Sequence, residues 1–246
     1  MNTLVIAWWN IKKNNNTIIQ EFISLIRKKS LSDDIKVWII PTGSEEPIIT
    51  SLFYKDIFNS LEVFDVEIIP IIYCNNISTS IKESNWKNNA QSKTITSQIL
   101  SCDGIWFVGW DQLRYTHTFY HKNKNTLALN AIYLKKNLVI GGTSAWASIM
   151  SEYMIYEHLG KLSIEKWFKL FPYWIIDQHF TERNRLTRLQ NALTKTTYNY
   201  GFWIDEQTAI VLNNNILKVI WKWSVTLVEK NNLKIKKYFS WEIIEI

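Results

Sequence analysis

The chain has 246 residues, 47% apolar and 20% charged, which is enough to bury a sizeable core and too apolar for a disordered polymer. Its net charge of +6 is spread over lysines scattered among asparagines (Asn14, Asn15, Asn16, Lys135, Lys136, Asn213, Asn214, Asn215, Lys236, Lys237) rather than gathered in one stripe. That argues against nucleic-acid binding, and the absence of any apolar run near roughly 18 residues argues against a membrane span.

In chain order, continuous apolar runs at 4–7, 35–40, 66–72, 104–108 and 138–140 predict strands buried on both faces. The first run lacks the basic and long apolar regions of a signal peptide, so a cytoplasmic location is expected. Amphipathic stretches at 17–29, 47–59, 94–101, 112–120 and 127–135 predict helices between the strands. The alternation is that of an α/β fold: a doubly wound, mostly parallel sheet flanked by helices. A further helix is expected from Ser144 towards Glu157, and another over 181–194 with Thr181 as its N-cap. Beyond it the pattern shortens. Residues 209–212, 217–220, 225–228 and 235–239 read as short antiparallel strands at the sheet's edge, separated by Asn-rich turns. No linker or repeat interrupts the chain, which reads as one domain, 1–246.

Ligands of open α/β sheets bind at the carboxyl ends of the strands. Three stretches follow such ends: Val108-Gly109-Trp110-Asp111-Gln112, Gly141-Gly142-Thr143-Ser144-Ala145-Trp146, and Asp177-Gln178-His179-Phe180. The second is a strand-to-helix serine turn that should read G-x-S-x-G, but its last glycine is Trp146. A serine nucleophile needs a base, and the base needs an orienting acid. His179 is the best-placed histidine; Asp205 and Glu206, after a short apolar run, can each orient it. His117 and His121 are spaced i,i+4 on a predicted helix without a third ligand, His158 falls in a predicted loop, and no metal or cofactor is expected. Arg185 and Arg188 share one helical face with Arg183 offset, which is either a solvated basic face or a pocket for carboxylates. Cys74 and Cys102 read as small buried residues.

Six stretches, in order, carry a resemblance over almost the whole chain: "LVIAWWN", "IIPTGSEEP", "GIWFVGWDQLR", "GGTSAWAS", "IIDQHFTERNRLTRL" and "GFWIDEQTAIVL". They resemble the cyanophycinase-like serine peptidases, relatives of aspartyl dipeptidases on a glutamine-amidotransferase-like sheet. The resemblance implies a triad of Ser144 as nucleophile, His179 as general base and Glu206 as orienting acid, with Asp205 as the alternative acid. It implies an oxyanion hole from the backbone N–H groups of Trp110 and Ala145, and a substrate pocket lined by Gln112, Asp177, Gln178, Arg183, Arg185 and Arg188. The implied substrate is a peptide or a polyaspartate bearing arginine, cut to β-aspartyl-arginine dipeptides through an acyl-enzyme. Homodimers are common in the family. Between Ser144 and Asp177 the chain is shorter than the cyanophycinase pattern, so the reaction class is better supported than the substrate.

The glycine and tryptophan counts are anomalous. A chain of this length should hold about 17 glycines at the usual share; it holds 7, against 13 tryptophans. Where the family carries glycine, this chain has Trp8, Trp9, Trp110, Trp146, Trp203 and one or both of Trp221 and Trp223. Trp167, Trp174 and Trp241 are further candidates, Trp106 reads as a true tryptophan, and Trp38 and Trp86 are undecided. One codon explains the swap: UGA is read as glycine in some bacterial lineages and as tryptophan in others. The abundance of Asn, Lys and Ile suits an AT-rich gene that favours such a codon. A literal Trp146 is expected to crowd the helix after Ser144, and a literal Trp110 to stand beside the oxyanion hole and fill the pocket.

Overall fold

The computed structural model describes residues 2–7, 16–73, 85–121, 124–158, 161–178, 186–205, 207–231 and 234–245. Its contacts divide the chain into two compact units, Met1–Leu4 with Lys12–Gly142 and Val5–Ile11 with Thr143–Ile246. Strands β1 (Thr3–Ala7) and β7 (Val139–Thr143) contribute residues to both.

The first unit alternates strand and helix as the apolar runs predict. It holds α1 (Thr17–Ser30), β2 (Val37–Ile40), α2 (Pro47–Ser60), β3 (Val66–Ile68), α3 (Lys93–Ser101), β4 (Gly104–Phe107), α4 (Gln112–Phe119), a two-residue hairpin of β5 (Tyr120–His121) and β6 (Lys124–Asn125), and α5 (Leu127–Leu134). β2 pairs in parallel with β3 and β4, and β4 with β7; the inner strands β2 and β4 are buried along their whole length and read as unbroken apolar runs, whereas the edge strand β3 exposes Glu67. Local chemistry starts the helices. Ser92, Asp111 and Thr126 sit in extended backbone and accept from the N–H groups of Ile95, Leu113 and Leu129, which would otherwise be orphaned in the first turns of α3, α4 and α5. Ile18, Ile19, Phe22, Ile23 and Ile26 fall on one face of α1 and are all buried.

The centre of this unit is aromatic. Trp106 is fully buried, edge-on to Phe22 (ring centroids 5.1 Å) and Phe58 (6.2 Å), with Tyr54 at 5.8 Å. A Cβ added to Gly141 would lie 2.6 Å from the Trp106 ring, so the indole rests where only a glycine leaves room. Burial of one such side chain is worth roughly 1.5–3 kcal/mol.

The second unit departs from expectation after Ser144. The predicted helix to Glu157 stops early: α6 (Ala145–Met150) has 6 residues and is followed by the hairpin of β8 (Tyr153–His158) and β9 (Lys161–Lys166). Ser151 ends the helix, its hydroxyl donating to the carbonyls of Ser148 and Tyr153, and the run Tyr153-Met154-Ile155-Tyr156 prefers a strand. His158 therefore ends a strand rather than lying in a loop, and His121 lies in β5 rather than on the helix of His117. These strands open a six-stranded sheet in the order β15-β14-β11-β10-β8-β9 that sequence periodicity did not separate from the first. Its other strands are β10 (Ile175–Gln178), β11 (Tyr200–Ile204), β14 (Ser224–Glu229) and β15 (Ile235–Phe239), with α7 (Leu186–Thr194) between β10 and β11 in sequence.

The remaining strands, β12 (Thr208–Asn213), β13 (Ile216–Trp221) and β16 (Ile243–Glu245), extend the main sheet, whose order is β16-β13-β12-β1-β7-β4-β2-β3. Asn214 and Asn215 close the β12–β13 hairpin at φ 49 and 66. Both values are left-handed, as a two-residue hairpin turn requires, and asparagine tolerates them. The fold is thus the mixed α/β arrangement the sequence predicts, with antiparallel strands at its C-terminal end. Among the described residues no helix is long and apolar enough to cross a membrane.

Candidate active site

The serine turn stands on an unusual backbone in the second unit. Ser144 joins β7 to α6 with φ 55 and ψ −116, a strained backbone for a residue with a side chain. Holding a residue there costs about 1–3 kcal/mol, so the surroundings must impose it. They do so on both sides: the Ser144 N–H donates to Ala7 O at 3.1 Å, and its carbonyl accepts from Ala147 N at 2.8 Å. A serine at a helix N-cap ordinarily uses its hydroxyl to cap the first turn, yet Ser144 makes no such bond. The residue itself is half-buried. Ala145 follows as the first, buried residue of α6.

Trp146 does not break this helix. It is fully buried, 5.8 Å from the ring of Phe168, in ordinary helical backbone. Helix α6 packs against β8 and β10.

β10 and β11 are the strands that lead to the other proposed triad members. They pair in parallel, Asp177 opposite Trp203 and Gln178 opposite Ile204. His179 and Glu206 follow those two ends in sequence but lie outside the described residues, as do Arg183 and Arg185 and the side chain of Gln178. Asp205 is described: its backbone N–H donates to Ser224 O at 3.2 Å and its carboxylate accepts the Ser224 hydroxyl at 2.6 Å. Ser224 opens β14 after a turn, and no sequence pattern pointed to it.

Two residues of the expected pocket pair with each other. Asp177 is 1% exposed, and its Oδ2 lies 3.5 Å from Nε of Arg188 on α7. Arg188 Nη2 also donates to the Ile155 carbonyl of β8 at 3.2 Å. Of the two readings of the arginine face, a solvated one does not describe Arg188. Truncating one member of a buried pair strands the other's charge, at a cost of about 3–5 kcal/mol.

In the first unit, the turn after β4 carries Trp110 at φ 134, with 61% of the residue exposed. The next residue, Asp111, donates its N–H to Gly43 O at 3.1 Å and caps α4, of which the part-exposed Gln112 is the first residue. Gly43 is required here: a Cβ would lie 2.5 Å from the Tyr115 ring and 2.7 Å from Val108 O. Tyr115 spends its hydroxyl on the carbonyls of Ile40 and Val108, tying the ends of β2 and β4 together. Arg114 donates to Ser44 O and pairs with Glu45 and Asp111. The turn is therefore rigid around an exposed indole whose backbone suits glycine.

Trp221 and Trp241 share that property, at φ 81 and 73. Trp241 is the third residue of a turn closed by Glu242 N to Phe239 O, 3.0 Å, the position that asks for glycine in a type II turn. By contrast Trp146, Trp167, Trp174, Trp203 and Trp223 are not at positive φ. Trp8 and Trp9, and the side chain of Trp86, lie outside the described residues.

The titratable groups that shift are structural. Burial pushes the Cys102 thiol up to about 12, and Cys74 lies outside the described residues. Burial also pushes the Glu152 carboxyl up, but hydrogen bonds from Lys169 and Tyr198, and the charges of Lys169 and Lys166, outweigh it and hold the group below its usual range. Among the described residues no cluster of three metal-ligating side chains occurs.

Comparison with known proteins identifies the family. The profile of Peptidase family S51 matches residues 76–220. A cyanophycinase of Synechococcus elongatus is 26% identical over 213 residues, 83% of this chain and 62% of that protein. One of Trichormus variabilis is 29% identical over 208 residues, covering 80% and 64%. One of Geminocystis herdmanii is 27% identical over 239 residues, covering 93% and 80%. The chain thus spans about three-fifths of the length of the first two of these relatives. The crystal structure of a peptidase from an acI-B1 Actinobacterium superposes with a TM-score of 0.74 at 16% identity, over 100% of this chain and 97% of that one.

Proposed function

The chain belongs to peptidase family S51, and from that membership we propose that it is a serine-type hydrolase of aspartyl peptides with Ser144 as nucleophile. The observation that carries the proposal is the backbone of Ser144: φ 55 and ψ −116 between a buried strand and a helix, with the hydroxyl not spent on capping. In this reading His179 takes the hydroxyl proton as Ser144 Oγ attacks the scissile carbonyl, and Glu206 orients the imidazole. Asp205 is the less favoured acid, since its carboxylate already accepts from Ser224. The backbone N–H groups of Trp110 and Ala145 are carried over as donors to the developing oxyanion. His179 then passes the proton to the leaving amine, and water hydrolyses the acyl-enzyme to free the carboxylate and Ser144.

The substrate class is an aspartyl peptide, with release of β-aspartyl-arginine dipeptides from arginine-bearing polyaspartate as the specific form, on the strength of the cyanophycinases it resembles. The test is product release from that polymer and from Asp-X dipeptides, with Ser144→Ala as control. Release of neither would favour a second reading, a binding or scaffold protein of the same fold, which the tryptophan at the rigid Trp110 turn favours.

The tryptophans bear on which form of the chain is active. We propose that positions 110, 221 and 241 are glycine in the native protein, encoded by UGA and written here as tryptophan. Their positive φ values support it, because a side chain is strained there and glycine is not. The gene tests this directly: UGG codons at 110, 221 and 241 would sink it. The glycine form is expected to be the better hydrolase.

A further inference from the structure

We infer that Arg114 is a positioning residue for the backbone N–H of residue 110, the donor assigned to the developing oxyanion; the inference rests on the acyl-transfer reading above. Two loops leave the carboxyl ends of neighbouring strands, residues 41–46 after β2 and 108–111 after β4. Arg114, in the first turn of α4, reaches both. Its Nη1 donates to Ser44 O at 2.9 Å. Its Nε lies 3.6 Å from Asp111 Oδ2, near enough for charge attraction and too far for a hydrogen bond. Nη2 reaches Glu45 Oε1 at 3.3 Å, but that side chain is 59% exposed, so solvent screens the pair. The Arg114 side chain itself is only 18% exposed.

Residue 110 is bounded on each side by groups tied to β2 or its loop. Before it, Val108 donates its N–H to Ile40 O at 3.0 Å. After it, Asp111 donates to Gly43 O at 3.1 Å and caps Leu113. The place of the turn therefore depends on where the loop after β2 stands. Side-chain hydroxyls set that loop: Thr42 donates to Ile71 O at 2.6 Å, and the Ser44 hydroxyl lies 2.7 Å from that of Thr50 on α2 while accepting from Glu46 N at 3.0 Å. Ser44 thus uses its hydroxyl within its own loop and offers its carbonyl to Arg114. An N–H that serves a charge present only in the transition state must be in place beforehand. A planar guanidinium that spans two loops fixes their spacing better than the single point charge of a lysine. A cation at this end of the sheet could instead bind a substrate carboxylate, but the burial of Arg114 and its bond to a main-chain carbonyl favour holding over binding.

The test uses the full chain as written and, in parallel, the chain with glycine at 110, 221 and 241. Three quantities are read: kcat and KM on arginine-bearing polyaspartate or an Asp-X dipeptide, whichever the parent cleaves; the inhibition constant of a peptide aldehyde ending in aspartal; and the melting temperature. The aldehyde carbon takes Ser144 Oγ, the hydroxyl proton passes to the base, and the aldehyde oxygen becomes a hemiacetal oxyanion where the transition-state charge would lie. Arg114→Met is expected to lower kcat by roughly 10- to 100-fold with KM little changed, and to weaken the aldehyde by the same factor. Arg114→Lys, which keeps the charge and loses the fork, should lie between. Glu45→Gln removes only the exposed partner and should leave all three quantities near the parent. A rise in KM at parental kcat would mean that Arg114 binds substrate and would overturn the inference. So would a lower melting temperature with parental kcat and aldehyde affinity per folded molecule, since Arg114 would then serve stability alone. A loss in Glu45→Gln as large as that in Arg114→Met would overturn it too, because the exposed pair and not the tie between loops would carry the effect. If neither parent cleaves a substrate or binds the aldehyde, the acyl-transfer reading itself fails and this inference falls with it; an active parent with unaltered variants removes this inference alone.

Discussion

Two turns leave the main parallel sheet with a positive φ, one at Ser144 and one at Trp110, and they bear it differently. Ser144, at φ 55 and ψ −116, lies outside the left-handed helical region that L-residues sometimes reach, and its flanking peptide groups are both hydrogen-bonded. Trp110, at φ 134, lies where glycine is the ordinary occupant, and its indole is turned out to solvent. The first is strain held in place around a side chain with chemistry. The second is strain around a side chain that packs against little. Backbone strain marks both as constrained by their surroundings, but only at Ser144 does the residue type explain why the constraint is kept.

The largest effect is expected at the proposed nucleophile. Ser144→Ala should abolish hydrolysis, a loss on the order of 10⁶-fold if the triad acts as a unit, while barely changing the melting temperature; residual turnover within tenfold of the parent would remove Ser144 from the mechanism. Trp110→Gly should act in the other direction. Relief of the φ 134 strain should stabilise the protein by about 1–3 kcal/mol and raise activity, measured by denaturant unfolding and by product release; a variant less stable than the parent would show that the indole is needed.

Gly141→Ala tests the aromatic core beneath the β4 and β7 strands. The added methyl would meet Trp106 at 2.6 Å, so a loss of roughly 1–3 kcal/mol is expected, and a neutral result would show that the ring can move aside. Trp241→Gly should stabilise by about 1 kcal/mol through its turn alone, without touching activity. The smallest effect is at Glu152. Its carboxyl is held below the usual range, so it adds stability above its unfolded-state value and loses that contribution as the pH falls through its folded-state value. Glu152→Gln lacks the contribution throughout, so the gap in melting temperature to the parent should be widest near neutral pH and close in acid; a gap independent of pH would mean that packing, not charge, is what Glu152 supplies.

The first unit was legible almost element by element. Its inner strands β2 and β4 are buried on both faces, so each reads as an apolar run, and Ser92, Asp111 and Thr126 mark three helix starts. The second unit was less so. Residues 153–158 follow a short helix without a glycine or proline to end it, and the stop at Ser151 depends on where its hydroxyl finds carbonyl partners. The site shows the same division. Ser144 was readable from its neighbours, whereas the Asp177–Arg188 pair joins residues on a strand and a helix, and nothing in their spacing distinguishes a partner from a ligand contact.

The sequence by itself determined the alternating α/β order, the serine turn and the excess of tryptophan over glycine, because each is local: a run of apolar residues, a short motif, a count. Only the tertiary structure decided which tryptophans stand in glycine's backbone, that Trp106 and Gly141 are made for each other, and that Arg188 holds Asp177. Those depend on φ and on packing between residues far apart in the chain, and both arise only when the sheets have formed.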